Sequence, residues 1–521
     1  MRTLQTSQYL RTLRSSHDSD FTQFGGRIDA ARSEPTIVFH SLFGRGRWVG
    51  AETVQLLQNC KAGVAEESLR ALIGPDDLNA LLELSYLVPA GFDEQLLIDD
   101  LLVARERRLP TGELITSLQL ILTNGCNFKC EYCFAYNFDG AVTARNSAGE
   151  SVTPGPMIRR SPELSPPASP QPDWNVDDSG IRRNPRGSMT TEIAVAAIQH
   201  AILNRVAHGG GRLGISFFGG EPTLNRQVIL EVLERFGDGS AWAVALEWDL
   251  TTNGSRIDDE LAAAFARHRV NTAVSIDYIC DETGGYRGAA KPTTSWPVVR
   301  ENTIRLIRAG VPVSITSVLS AQTWSSWNHR LIDWCADIGV RELNVIVSFQ
   351  ADFFRRFAPV TVAEKLLEAF DHGQRRGVLL TGYWYHTYLL IVDEVKWARQ
   401  ADYKTCPAIG RMLSIEPNGA VFSCKATNTQ MGHIDDWAGI FSSPAYREYG
   451  MRAYTNGPEC RGCELQGTCS GGSAGQLEEA HHSIARMNAG YCEYIRAVVH
   501  GLLEREAGGR ARNDSRRMPS M

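Results

Sequence analysis

The sequence predicts an α/β protein: a parallel sheet of repeated βα units, a small α+β unit before it and a cysteine-rich segment after it. Three observations predict this. Between about 115 and 350, short apolar runs alternate with longer helical patterns. Three cysteines follow directly on the first of those runs, and half of the chain's 12 cysteines fall after residue 400. At 521 residues, 43% of them apolar, the chain suffices for two or three domains.

Composition narrows the function classes. A net charge of −6 gives no general attraction to nucleic acid. The opening Met1-Arg2-Thr3-Leu4-Gln5-Thr6-Ser7 lacks the apolar core of a secretory signal. No apolar run reaches the roughly 18–20 residues that span a bilayer. Clustered cysteines in a large chain without an export signal point to metal ligation rather than disulfides. The expected setting is a reducing cytoplasm, with neither nucleic acid nor membrane as partner.

Residues 1–110 form the α+β unit. Ile37-Val38-Phe39-His40 and Trp48-Val49 read as a short β-pair, with amphipathic helices near 50–60 and 66–73. A third helix starts at Pro75 with an aspartate cap and leads into Tyr86-Leu87-Val88-Pro89. A strand pair with three helices is similar to a small winged-helix arrangement.

Residues 111–355 carry the βα units. Strands are expected at 117–122, 213–218, 245–251, 271–277, 312–318 and 343–348, and helices near 190–207, 225–236, 258–267, 299–309 and 326–338. Six strands are too few for a closed eight-stranded barrel. Interrupting them, residues 137–188 hold eight prolines and many Ser and Arg. Such a composition cannot bury a core of its own, so a disordered insert is expected. Residues 356–403 read as a helical connection containing Tyr383-Trp384-Tyr385-His386. Residues 404–500 form the cysteine-rich domain, and 501–521 an Arg-rich disordered tail. Cys60, Cys280 and Cys335 stand alone, and Cys335 reads as helix core.

The chemistry-bearing stretch is Cys126-Asn127-Phe128-Lys129-Cys130-Glu131-Tyr132-Cys133. Three thiols this close face one point only if the backbone curls around it, and an iron–sulfur cluster rewards that geometry. A cubane cluster usually takes four thiolates, so a local set of three implies a distant fourth or one iron left for an outside ligand. A zinc site is the other reading of the triple. After the second strand comes Gly219-Gly220-Glu221-Pro222, after the third Thr251-Thr252-Asn253-Gly254, and the fourth ends Ser275-Ile276-Asp277. Glycines let backbone approach a ligand closely, and active-site residues of βα barrels sit on these carboxyl-terminal loops.

The C-x3-C-x-aromatic-C run resembles the signature of radical S-adenosylmethionine (SAM) enzymes, and the GGEP and TNG loops match that family's motifs. The resemblance implies a partial (β/α)6 TIM-like barrel. It implies that Cys126, Cys130 and Cys133 hold a [4Fe-4S] cluster whose open iron chelates SAM, and that reduction yields a 5′-deoxyadenosyl radical. Gly219, Gly220, Glu221 and Pro222 would then contact the SAM amino group, with Tyr132 and Asn253 beside the cofactor. Ser275 and Arg287 would suit its carboxylate. The match departs at Tyr278 and Ile279, where Gly-Pro is usual, and at Thr283-Gly284.

The second cysteine group is Cys406, Cys424, Cys460, Cys463, Cys469 and Cys492. Residues 411–424 read as a hairpin turning at Pro417-Asn418-Gly419. The spacing resembles the SPASM extension of radical SAM enzymes. That resemblance assigns Cys460, Cys463, Cys469 and Cys492 to an outer auxiliary [4Fe-4S] cluster, for which a structural zinc is the alternative. It assigns Cys406 and Cys424 to an inner cluster. Ser473 stands where that family usually has a cysteine, so the inner cluster is expected to be missing or to use ligands such as Ser473 or a peptide group.

Taken together, the resemblance implies hydrogen abstraction from a ribosomally made precursor peptide, leaving an oxidative modification or a cross-link. Within that group an N-terminal domain often grips the precursor by strand addition, a packing or dimerisation role being the alternative here. A flavodoxin- or ferredoxin-type reductant is implied. A sulfatase-maturation-like enzyme making formylglycine is a second reading. A metal-stabilised peptide-binding protein without catalysis is a third.

Overall fold

The computed structural model describes residues 2–14, 36–128, 130, 132–133, 144–145, 151–152, 175–176, 182–183, 187–279, 296–348, 353–392, 406–452, 460–469, 471–481 and 483–515. All six expected barrel strands are present. They are β1 (Ser117–Thr123), β2 (Gly211–Gly219), β3 (Val244–Thr252), β4 (Asn271–Ser275), β5 (Val313–Leu319) and β6 (Glu342–Val347). The intervening helices are α1 (Thr191–Ala207), α2 (Arg226–Phe236), α3 (Asp259–Arg267), α4 (Trp296–Arg308) and α5 (His329–Asp337).

Neighbouring barrel strands pair in parallel, with Leu118 opposite Ile215, Leu250 opposite Thr272 and Thr316 opposite Asn344 among the partners. Crossover helices cover such strands, and β1 accordingly reads as a nearly continuous buried run. Inside the core Trp248 of β3 stacks on Phe217 of β2 at 5.5 Å between ring centroids. Its indole N–H donates to the Gly237 carbonyl at 2.6 Å, so the buried polar atom is satisfied. Helices α1, α3 and α5 start on Thr190, Asp258 and Asn328, whose side chains accept first-turn N–H groups.

The sheet is wider than the six strands. A short β7 (Leu379–Thr381) adds in parallel to β6, reached through the helix α6 (Pro359–Arg376). The connection expected to be wholly helical therefore contains a strand, fixed by Gly382 and the Trp384 indole bonding to the Val345 carbonyl at 3.2 Å. After it α7 (Tyr383–Ile391) buries Trp384, so that aromatic stretch contributes core. On the other flank β8 (Met412–Ile415) joins β1 in parallel and turns back as the expected hairpin into β9 (Ala420–Phe422), followed by β10 (Gln430–His433). The cysteine-rich domain thus shares one sheet with the barrel.

The first 110 residues hold two three-stranded ladders. Strands Leu10–Arg14, Thr36–His40 and Gly44–Val49 form one, and Thr3–Thr6 lies between Val64–Ala65 and Leu87–Pro89 in the other. Helices Ala51–Asn59, Glu66–Ile73 and Pro75–Glu83 stand where expected. The last has no aspartate cap: Gly74 precedes Pro75, and Asp76 and Asp77 sit in the first turn, where they face the positive end of the helix dipole. A further helix, Gln95–Arg108, links this unit to β1.

The tail departs from expectation. Beyond α8 (Ala474–His481), helix α9 (Ala489–Ser515) continues well past residue 501. Val498, Val499, Leu502 and Leu503 are buried, and Arg505 makes a bidentate pair with Asp371 of α6 at 2.7 and 2.9 Å. Glu506 accepts from the Trp48 indole at 3.1 Å and the Tyr388 hydroxyl at 2.7 Å, so the helix is pinned from two other elements. Cys60 and Cys335 are buried as single residues, while Cys280 lies outside the described residues. So does most of the 137–188 insert; its described parts are two ladders of two-residue strands and residues 187–188. Among the described residues, no helix is long and apolar enough to cross a membrane.

Candidate active site

Where β1 and β2 end, their backbones nearly touch. A Cβ on Gly219 would lie 2.3 Å from the Thr123 carbonyl oxygen, and one on Gly220 would lie 2.2 Å from that of Gly125. Gly219 also has φ +150°, so glycine is required there twice over. In exchange Gly220 N–H donates to Thr123 O at 2.7 Å and Glu221 N–H to Gly125 O at 2.9 Å. The glycine pair therefore clamps the loop after β2 onto the start of the cysteine run.

Glu221 is fully buried and bridges two loops. Its Oε1 accepts from Thr223 N–H (3.0 Å), Thr223 Oγ1 (2.6 Å) and Thr252 Oγ1 (2.7 Å), and its Oε2 from Asn253 N–H (2.7 Å). Burial raises its pKa, and those four donors oppose the rise. Asn253 carries the link onward. Its Nδ2 donates to Asn127 Oδ1 at 2.8 Å and lies 3.9 Å from the Cys126 sulfur, while Asn127 in turn donates to Ser255 Oγ at 2.8 Å. The carboxyl ends of β1, β2 and β3 are thereby joined through side chains the sequence had placed on separate loops.

Around the triple, Cys133 N–H donates to Cys130 O at 3.0 Å and Phe128 N–H to the Cys126 sulfur at 3.4 Å. Burial, then the Glu221 carboxylate and finally Cys130 and Cys133, push the Cys126 thiol well above the usual thiol range. The three sulfurs are near enough to repel as anions, and a bound polycation relieves that. This is the donor chemistry a cluster needs, so the residues fit one. Among the described residues, though, no group of three or more His, Cys, Asp or Glu side chains stands in a closed metal-holding arrangement. Tyr132 hydroxyl donates to Asp277 Oδ2, and Asp277 Oδ1 accepts from Val318 N–H at 2.9 Å. The sequence marked Asp277 as part of the Ser275-Ile276-Asp277 segment that resembles a family motif; its part in fixing the cysteine loop depends on a contact 145 residues apart. Ser275 lies half-buried at the end of β4. Arg287 lies outside the described residues.

The cysteines of the second group fall in two neighbourhoods. Cys492, near the start of α9, is pushed up to about 12 by burial first and then by Cys469, Cys460 and Cys463. Cys469, Cys460 and Cys463 thus all lie within electrostatic reach of Cys492, and four thiols suit a cluster or zinc. Cys463 N–H bonds back to Cys460 O at 3.1 Å and Gly471 N–H to the Cys469 sulfur at 3.3 Å. Cys424 is raised to about 11, by burial first, and Cys406 acts on it electrostatically. Ser473 immediately precedes α8, which packs on the Cys424 turn: a Cβ on Gly475 would meet Ala426 O at 1.9 Å.

One cation enters the barrel from this domain unanticipated by the sequence. Lys425 Nζ sits 3.0 Å from the centre of the Phe218 ring, next to the glycine clamp, and its backbone N–H donates to Gln119 Oε1 of β1 at 3.0 Å.

Residues 120–329 match the family described as the radical SAM superfamily, and residues 406–464 match SPASM, an iron-sulfur cluster-binding domain. The chain is 28% identical over 438 residues, 83% of each chain, to the radical SAM cyclopropyl synthase TigE of Paramaledivibacter caminithermalis. Among solved structures it resembles hexahistidine-tagged anSMEcpe with bound AdoMet, with TM-score 0.54 and 16% identity over 78% of this chain and 96% of that one. Native anSMEcpe with bound AdoMet and Cp18Cys peptide gives TM-score 0.53 and 15% identity over 76% and 99%. At that identity the likeness speaks for the fold. With both family matches falling on the cysteine-bearing segments, the chain belongs to the radical SAM superfamily, as an enzyme with a SPASM domain.

Proposed function

We propose that the enzyme abstracts a hydrogen atom from a peptide substrate and installs an oxidative modification or a cross-link in a ribosomal precursor peptide. The observation that carries the reading is the junction of Cys126, Glu221 and Asn253 at the ends of three adjacent strands. When bound, a [4Fe-4S] cluster on Cys126, Cys130 and Cys133 with SAM at its open iron supplies the 5′-deoxyadenosyl radical.

The chain's own residues then hold and orient. Glu221 Oε2 accepts one described donor and has a lone pair left for the SAM ammonium. Gly219, Gly220 and Pro222 shape that seat, Asn253 and Tyr132 fix its floor, and Ser275 with Arg287 takes the carboxylate. The set Cys460, Cys463, Cys469 and Cys492 holds one auxiliary cluster, and Cys406 with Cys424 belongs to an inner site short of ligands. A flavodoxin- or ferredoxin-type protein is the electron donor.

The first 110 residues are winged-helix-like and take the precursor by strand addition. In one ladder the outer strand Leu10–Arg14 pairs on one side among the described residues, the edge-strand form that strand addition uses. The relative named a cyclopropyl synthase makes ring closure between side-chain carbons the modification to look for first.

The test is mass spectrometry of a short peptide encoded beside the gene and co-expressed with the enzyme. A mass loss of two hydrogens is expected, absent when Cys126, Cys130 and Cys133 are all Ala. An unmodified peptide with the intact enzyme, together with formylglycine in a co-expressed sulfatase, would replace this reading with the sulfatase-maturation one.

A further inference from the structure

Arg452 lies within electrostatic reach of cysteines from both auxiliary sets. It is almost wholly buried. Its Nε donates to the Ile484 carbonyl at 2.8 Å, Nη2 to that of Gly471 at 2.6 Å and Nη1 to that of Gly472 at 3.3 Å. All three acceptors are main-chain carbonyls, and among the described residues no carboxylate pairs with it. A guanidinium stays charged even when desolvated, and a buried charge without a counter-charge is strongly unfavourable. Sulfur is the counter-charge at hand: Cys406, Cys469 and Cys460 all act on Arg452 electrostatically.

The local geometry couples the cation to one thiol in particular. Gly471 accepts the shortest of the Arg452 bonds and donates its own N–H to the Cys469 sulfur at 3.3 Å. Gly472 follows, and then Ser473, where the sequence lacks the expected cysteine. Two carbonyls of the Cys469–Ser473 loop are thus tied to a fixed positive charge. Hydrogen bonds to sulfur and net charge are among the determinants of an iron–sulfur potential, and a cation nearby favours the form carrying the extra electron.

We propose that Arg452 is a positioning residue of the auxiliary site, holding the Gly471–Gly472 loop against Cys469 and supplying the charge that makes the bound cluster easier to reduce. The proposal rests on reading Cys460, Cys463, Cys469 and Cys492 as iron–sulfur ligands. No bond is made or broken; one electron from the titrant is gained.

The test is a potentiometric titration followed by electron paramagnetic resonance on anaerobically purified full-length protein. Cys126, Cys130 and Cys133 are changed to Ala so that the signal belongs to the auxiliary site. Iron and acid-labile sulfide are counted alongside. Arg452→Gln is expected to keep its iron and shift the reduction equilibrium at least tenfold towards the oxidised form, about 59 mV for one electron. Arg452→Lys, which keeps the charge, is expected to stay close to the parent. Should Gln lose iron while Lys keeps both iron and potential, the cation is still shown to matter. A Gln variant with full iron and the parent's potential overturns the proposal, as do Gln and Lys variants altered alike. Zinc in the parent protein removes the iron–sulfur reading itself, and the metal count separates that failure from the others.

Discussion

The carboxylate of Glu221 accepts the main-chain N–H of Asn253 at 2.7 Å, so the loops that follow β2 and β3 move as one body. Because Asn253 also holds Asn127 within the cysteine run, a change at Glu221 propagates to the cysteine loop.

Glu221→Gln keeps the shape but replaces an acceptor with a donor. Whichever way the amide turns, an N–H faces another donor, leaving buried groups unsatisfied at about 1–3 kcal/mol each. The expected result is a lower melting temperature and at least a hundredfold loss of 5′-deoxyadenosine formation. A variant matching the parent in both would remove Glu221 from the site.

Gly220→Ala places a methyl on the Gly125 carbonyl, a backbone atom that has no room to yield. The loops must separate, and the expected outcome is loss of iron from the Cys126 site with a lowered melting temperature. Gly50→Ala is the control, since nothing lies within 4 Å of its Cβ position. Equal behaviour of the two variants would contradict the clamp.

Tyr132 and Asp277 form a charge-assisted pair, a class worth roughly 1.5–3 kcal/mol. Tyr132→Phe leaves the buried carboxylate with fewer donors, and Asp277→Asn removes the charge. In a double-mutant cycle followed by thermal denaturation, the double variant is expected to cost less than the sum of the singles. Strict additivity would mean that the contact contributes nothing.

Stability should also depend on pH through His40. Burial first, then Arg45 and Arg11, lower its pKa to about 3, and its Nδ1 accepts Leu42 N–H at 3.3 Å. The other ring nitrogen donates to Ser7 Oγ at 3.2 Å, and Ser7 in turn donates to Glu94. The neutral ring is therefore built into the fold. Its folded pKa lies below the unfolded value near 6.5, so the stabilisation is present above about 6.5 and is lost as pH falls towards 3. The loss should approach ~1.4 kcal/mol per pH unit. Denaturation midpoints of the parent and His40→Asn between pH 7 and 5 should converge; parallel curves would contradict this.

Much of this was legible in the sequence. The barrel strands and helices fall close to their expected bounds, because apolar runs alternating with amphipathic helices admit few other folds. What was hidden is instructive. No strand was expected at Thr3–Thr6 or Leu10–Arg14, which are short and partly polar and pair with segments distant in the chain. Helix α9 runs through an Arg- and Gly-rich stretch that looked frayed, held in part by the Arg505–Asp371 pair. Motifs announced the Cys126 run and Glu221. Lys425 and Arg452 belong to no motif, and what they do, like the tie from Asp277 to Tyr132, shows only in long-range contacts.

The most direct measurement is 5′-deoxyadenosine production by anaerobically purified, iron-reconstituted enzyme given SAM and a strong reductant. The expected result is nucleoside release that disappears, along with one cluster's worth of iron and sulfide, when Cys126 alone is changed to Ala. Intact SAM after prolonged reduction, or zinc bound at Cys126, Cys130 and Cys133, would contradict the account at its root.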